Sequence, residues 1–186
     1  HMTSFLKKII AATEEDLRKN KKNLPLSRLK KEIIIDQNNF FYRNLFSSRN
    51  DPAIIAEIKF ASPSAGQLAD SSTLILKIKE YESASVDAIS VITEPRFFKG
   101  SLDFIKITKQ TVSLPVLMKD FIIDEYQIYQ AKKAGADALL LIARLVDSKK
   151  LSRFVDLCLK LKIEPVVEIY SDEELEKVLN LNIRFI

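Results

Sequence analysis

From Pro52 onward the chain repeats one pattern: a short apolar run, a turn, and then an amphipathic helical stretch. The apolar runs are Ala53–Lys59, Ala88–Ile92, Pro115–Met118, Ala138–Ile142, Pro165–Ile169 and Arg184–Ile186. Their length and β-branched content predict strands. Helical periodicity fills the intervals at Leu74–Ser85, Leu102–Thr111, Glu125–Ala134, Ser148–Leu161 and Asp172–Leu181. Ser71 or Ser72, Ser101, Asp124, Asp147 and Ser171 precede these helices as capping candidates. Ala-Gly135-Ala-Asp137 reads as a glycine-capped helix end leading into a strand. A βα series of this kind implies a parallel sheet with right-handed crossovers.

Two α/β architectures satisfy that pattern, a doubly wound sheet and a (β/α)8 TIM-type barrel. The chain has only 3 glycines, and none builds GxGxxG or a phosphate-cradling loop. The nucleotide-binding doubly wound folds are thereby disfavoured, and a barrel is expected. It is an incomplete one: about five βα units plus the start of a sixth strand, against the roughly 250 residues of a closed barrel. C-terminal truncation is the simplest reading of an apolar strand just begun at Ile186. Residues 3–50 are expected to form an N-terminal helical extension and residues 51–186 the partial barrel. In the extension, Phe5, Ile9, Ile10, Ala12 and Leu17 recur at helical spacing, with Thr3 or Ser4 as a cap. Leu26, Leu29, Ile33 and Ile34 suggest a second helix. The aromatic run from Phe40 to Phe46 is expected to dock on the barrel as a flap. Open sheet edges at Ala53–Lys59 and Arg184–Ile186 could pair between copies of the chain.

Composition removes several chemistries. His1-Met2 reads as a cloning remnant, and no other histidine is present. Cys158 is the only cysteine, which excludes internal disulfides and CxxC metal sites, and its amphipathic surroundings predict a buried structural thiol. No apolar run approaches the roughly 20 residues of a membrane span, and no signal peptide is visible, so the cytoplasm is the default. The basic cluster Arg18 to Lys22 reads as a solvated helix end, since no nucleic-acid recognition module accompanies it. Neither a nucleic-acid nor a membrane partner is expected.

Ionisable groups sit at the carboxyl ends of the odd strands. The first run, Pro52-Ala-Ile-Ile-Ala-Glu57-Ile-Lys59-Phe-Ala-Ser62-Pro63-Ser64, presents a carboxylate, an ammonium and a hydroxyl in quick succession. Glu57 and Lys59 are two apart, so on a strand they leave from one face. The following Ser-Pro-Ser-Ala-Gly breaks the strand into a loop. The third strand ends in Lys119-Asp120-Phe121 and the fifth in Glu168. The second ends in Thr93-Glu94-Pro95, and the fourth carries no charge before Arg144. Barrel active sites form at the carboxyl ends of strands, and alternate strands share a layer. Glu57, Lys59, Lys119 and Glu168 should therefore converge as a coupled acid–base cluster.

Three groups of segments, taken in order, resemble indole-3-glycerol phosphate synthase. They are Ile55-Ala-Glu-Ile-Lys-Phe-Ala-Ser-Pro-Ser64, Ser90-Val-Ile-Thr-Glu94 with Phe97-Phe-Lys-Gly-Ser101, and Leu117-Met-Lys-Asp-Phe121. Gly135-Ala-Asp-Ala-Leu-Leu-Leu-Ile142, Pro165-Val-Val-Glu168 and the helical extension add to the resemblance. It implies ring closure of 1-(o-carboxyphenylamino)-1-deoxyribulose 5-phosphate to indole-3-glycerol phosphate, with loss of CO2 and water. A small phosphosugar is thus the implied partner, with no cofactor and no metal. Carried over by position, Lys119 would be the general acid and Glu168 an acid or base in dehydration. Glu57 would orient these groups or shuttle a proton, Lys59 would hold substrate anions or itself act as an acid, and Ser62 would help bind them. Phe98, Phe121 and Leu140 would contact the anthranilate ring. The family's phosphate-binding loops would lie beyond Ile186, so residues 1–186 alone are expected to be inactive. A non-catalytic self-associating fragment is one alternative. Another phosphosugar barrel is a second, disfavoured by the Glu-x-Lys-x-x-Ser-Pro run.

Overall fold

Strands that are apolar on both faces need cover on both sides, and the computed structural model supplies it for residues 4–35, 41–46 and 52–186, which it describes. Helices α1 (Ser4–Asn23), α2 (Leu26–Lys31) and α3 (Phe41–Phe46) come first. The sheet strands are β1 (Ile55–Ile58), β4 (Ala88–Ile92), β5 (Val116–Lys119), β6 (Ala138–Ile142) and β7 (Glu164–Glu168). A small antiparallel hairpin, β2 (Ala61–Ser62) with β3 (Gly66–Gln67), follows β1. Between and after the sheet strands run α4 (Leu74–Ser83), α5 (Leu102–Thr111), α6 (Glu125–Ala134), α7 (Ser148–Lys160) and α8 (Asp172–Val178). All pairings in the sheet are parallel, and its order, β1-β4-β5-β6-β7, is the order of the chain. That sequential order belongs to a barrel, whereas a doubly wound sheet reverses direction at a switch point. The barrel is not closed among the described residues.

Strand alternation divides the interior in two. Ile89, Val91, Met118, Leu139, Leu141 and Val167 face outward and pack with Ile78, Ile105, Ile128 and Val155 from the helices. Each such buried aliphatic side chain contributes roughly 1.5–3 kcal/mol. On the inner side, Phe41 of α3 is buried against Ala88, Leu117 and Ala138, near the amino ends of their strands. Phe185 meets its ring edge-on at 5.5 Å. The aromatic run is thus a plug at the amino end, and the carboxyl ends stay open. Phe40 and the cap candidate Thr3 lie outside the described residues.

Several expectations need correction. Ile54 and Ile55 are 56% and 42% exposed: the first strand starts at an open edge, as expected of Ala53–Lys59, but its apolar run is not covered on both faces as that composition suggests. Arg184–Ile186 forms no strand; it makes one parallel bridge between Phe185 and Val166. The Ser-Pro-Ser-Ala-Gly segment turns the β2–β3 hairpin where a plain loop was expected. Helix α2 ends at Lys31, which leaves Ile33 and Ile34 outside it, and Ile34 is 87% exposed. Asp70, rather than Ser71 or Ser72, is the capping residue before α4: it accepts the Ser72 N–H and starts a 3₁₀ turn at Ser71–Thr73. Ser101, Asp124, Asp147 and Ser171 cap their helices as expected, and Gly135 closes α6 at φ 95°. No helix of the described residues is long and apolar enough to cross a membrane.

Helix α1 is fastened to loops at the carboxyl ends of β4 and β5. The Arg96 guanidinium binds Glu15 at 3.0 Å and also Asp16, and Lys21 pairs with Asp124 at 2.8 Å. The Tyr126 hydroxyl donates to the Leu24 carbonyl at 2.9 Å.

Candidate active site

The site begins with strand register. Glu57 pairs with Ser90, and Ile92 with Lys119, which sets the end of β1 beside β4 and the end of β5 one strand further on. Lys119 Nζ donates to Glu57 Oε2 at 2.8 Å, and Lys59 Nζ lies 3.5 Å from Glu57 Oε1. Glu57 therefore stands between two ammonium groups, one on its own strand and one from β5. Glu168 ends β7 and makes no ion pair among the described residues. These four side chains border one cavity of about 270 Å³, together with Phe98, Phe121 and Leu140. Phe98 and Phe121 face each other with ring centroids 6.1 Å apart. The cavity thus joins an apolar wall of Phe98, Phe121 and Leu140 to a charged floor with both acids and bases. Ser62 stands apart from it in the hairpin, where its hydroxyl accepts the Ala65 N–H at 3.1 Å.

Four features escaped the sequence reading. Asp120 borders the same cavity, and its carboxylate accepts the Thr93 hydroxyl at 2.6 Å and the Phe121 N–H at 2.7 Å. The residue as a whole is only partly covered, but its carboxyl is enclosed, and desolvation pushes it up to about 6. The two hydrogen bonds oppose that rise, while Glu94 and Asp16 add to it. The Ser90 hydroxyl is buried without a hydrogen-bond partner among the described residues, facing inward beside Glu57. A lone polar residue in the run Ala88–Ile92 was the available signal. Glu94 is buried at the end of β4. At the rim, the Arg144 guanidinium stacks on Tyr170 at 3.8 Å and donates to Glu174 at 3.0 Å. Cys158 is buried in α7, and burial raises its thiol pKa, which suits a core residue rather than a nucleophile.

The raised Asp120 carboxyl has a thermodynamic consequence. Between its unfolded value near 4 and about 6, the folded state binds more protons than the unfolded one, so stability falls as pH rises. The contribution is fully present below about 4 and is lost as pH passes through 6, amounting to at most roughly 3 kcal/mol. Asp120→Asn should remove this slope. Urea midpoints of both proteins from pH 4 to 8 test it: the wild type should lose stability relative to the variant across that window. Parallel curves would contradict the enclosed carboxyl.

The model of the family described as indole-3-glycerol phosphate synthase matches residues 6–186. A relative of that name from Caldanaerobacter subterraneus subsp. tengcongensis is 42% identical, with the match covering 94% of this chain and 67% of the relative. One from Lachnoclostridium phytofermentans is 37% identical over 98% of this chain and 72% of its own length. A third, from Campylobacter jejuni, is 38% identical over 94% and 69% respectively. Among solved structures, a mandelate oxidase mutant with an FMN adduct superposes with a TM-score of 0.53 at 14% identity, covering 82% of this chain and 52% of that one. That likeness shows a shared fold alone. The family match over nearly all the chain and the identity of three relatives to it agree with the sequential parallel barrel: the chain belongs to the indole-3-glycerol phosphate synthase family.

Proposed function

We propose that Lys119 is the general acid with which this barrel mouth closes an indole ring. The family reaction converts 1-(o-carboxyphenylamino)-1-deoxyribulose 5-phosphate to indole-3-glycerol phosphate. The observation that carries the assignment is the Lys119–Glu57 pair, 2.8 Å apart, at the floor of a slot walled by Phe98, Phe121 and Leu140. Attack of the carboxylate-bearing ring carbon on the ketone carbon makes the new C–C bond and places charge on the ketone oxygen. Lys119 gives that oxygen its proton. The bond to the carboxylate then breaks, CO2 leaves, and the electron pair returns to the ring system. In the last step the new hydroxyl leaves as water, which needs one proton delivered to oxygen and one removed from the substrate. Glu168, unpaired across the mouth, takes the second. Glu57 orients Lys119, and Lys59 holds a substrate anion. Ser62 reaches the same anion only if the hairpin moves toward the mouth.

The barrel mouth is open on the β1 side, which supports two further parts of the proposal. Residues 1–186 alone turn over substrate negligibly, and copies of that polypeptide associate through the edge that exposes Ile54 and Ile55. A cytoplasmic setting, which keeps Cys158 reduced, belongs to the same reading. Product formation is followed as indole fluorescence that grows with time above the constant signal of the protein before substrate is added. A barrel completed by joining residues 1–186 to the part of a family relative that lies outside the match is expected to generate that signal from the carboxyphenylamino substrate, and the 186-residue polypeptide to generate none. A silent completed barrel would overturn the assignment.

A further inference from the structure

We propose that Glu94 is a positioning residue: its carboxylate sets where Phe98 stands at the mouth, and so how firmly the aromatic end of the substrate is held. The proposal rests on the reading of Phe98 as a substrate contact. Glu94 is only 3% exposed, yet no lysine or arginine among the described residues forms an ion pair with it. The nearest cation in sequence, Arg96, has its guanidinium committed to Glu15 and Asp16 on α1. The hydrogen-bond partners of Glu94 are backbone amides instead. Its Oε1 accepts the Arg96 N–H at 3.0 Å, and its Oε2 accepts those of Phe97 at 2.7 Å and Phe98 at 2.9 Å.

One buried carboxylate thus gathers three consecutive amides, an arrangement that suits an anion and nothing else of its size. The Glu94 carbonyl meanwhile accepts the Gly100 N–H at 2.7 Å, so the turn is closed at its far end too. Between these anchors Phe98 has no freedom to shift without breaking charge-assisted bonds. Its ring is thereby held 6.1 Å from that of Phe121, beside Leu140. Neither near substitute repeats this. Aspartate is one methylene too short to reach the amides. Glutamine turns an NH2 toward at least one of the three N–H donors.

A positioning role predicts a change in binding more than in chemistry, because Phe98 touches a ring that is present in ground and transition states alike. Glu94→Gln in the completed barrel should raise KM about tenfold with kcat within about twofold. Phe98→Ala should do the same, and the double variant should be no worse than Phe98→Ala alone, since a residue acting only through another adds nothing once that one is gone. Multiplying effects in the double variant would overturn the proposal. An unchanged KM in Phe98→Ala would instead remove the Phe98 reading, and the proposal with it. Amide hydrogen exchange at residues 96–98 of the unaltered protein supplies a check that survives a variant's failure to fold. Slow exchange at all three is expected, and exchange at open-chain rates would overturn the proposal.

Discussion

Replacing Lys119 with methionine in the barrel completed from a family relative is expected to lower kcat by about 10²- to 10⁴-fold, the usual contribution of one positioned general acid. The ketone oxygen becomes basic only as the ring carbon attacks, so a proton held in place is needed at that instant. Lys119 is suited to this because Glu57 fixes its ammonium at 2.8 Å from one side while the cavity leaves the other side open to substrate. Methionine keeps the length and packing of the side chain and removes the proton. KM should change little, since Lys59 remains to hold the substrate's anions. Arginine makes the sharper comparison: it keeps the charge and the pairing with Glu57, but a guanidinium does not give up its proton near neutral pH. Lys119→Arg should therefore fail in kcat nearly as badly as Lys119→Met. Steady-state rates from indole absorbance decide the matter. A rate within tenfold of the wild type in either variant would take the general-acid role away from Lys119.

The parts of this molecule that were legible in the sequence are those whose causes are local. Strands β4 and β6 match their apolar runs end to end because both faces are covered, so every residue from Ala88 to Ile92 and from Ala138 to Ile142 is buried. Helices α5 and α6 begin where Ser101 and Asp124 can bond the first free amides, and α6 ends where Gly135 can take a left-handed conformation. Glu57, Lys59, Lys119 and Glu168 drew notice because charge at the end of an apolar strand is costly without a partner. What escaped notice depends on neighbours distant in sequence. The exposure of Ile54 and Ile55 follows from the open edge expected at Ala53–Lys59, yet the apolar run itself suggests cover on both faces. Two-residue strands such as β2 and β3 are too short to carry a periodic signal. Asp120 looks like a routine strand-end acid until the register brings Thr93 within 2.6 Å and closes off its solvent. Glu94 looks exposed until the turn after it folds back onto its carboxylate.

Gly100→Ala is expected to lose about 3 kcal/mol of stability, the upper end of overpacking costs, even though its backbone needs no left-handed angle. The constraint is proximity. A β-carbon built there would lie 2.4 Å from the Ile92 carbonyl oxygen and 2.6 Å and 2.7 Å from the carbonyl carbon and Cα of Thr93. All three are backbone atoms at the end of β4, and that backbone cannot retreat: the Thr93 N–H is bonded to the Lys119 carbonyl at 3.1 Å. Moving Gly100 outward instead would break its own bond to the Glu94 carbonyl and pull on the turn that carries Phe98. For a protein of this size each kcal/mol shifts the melting temperature by roughly 2–4 °C, so a fall of about 6–12 °C is expected. Gly66→Ala is the informative control. Its φ of 66° strains an alanine, but no atom lies within 4 Å of the added methyl. It should cost only about 1 kcal/mol, the low end for a strained residue. Calorimetry of the two variants separates close approach from backbone strain, and equal melting temperatures would mean that Gly100 does not lie against the end of β4. Because the same displacement moves Phe98, surviving Gly100→Ala protein should also bind substrate more weakly while Gly66→Ala does not, which would tie the packing of one glycine to the shape of the mouth.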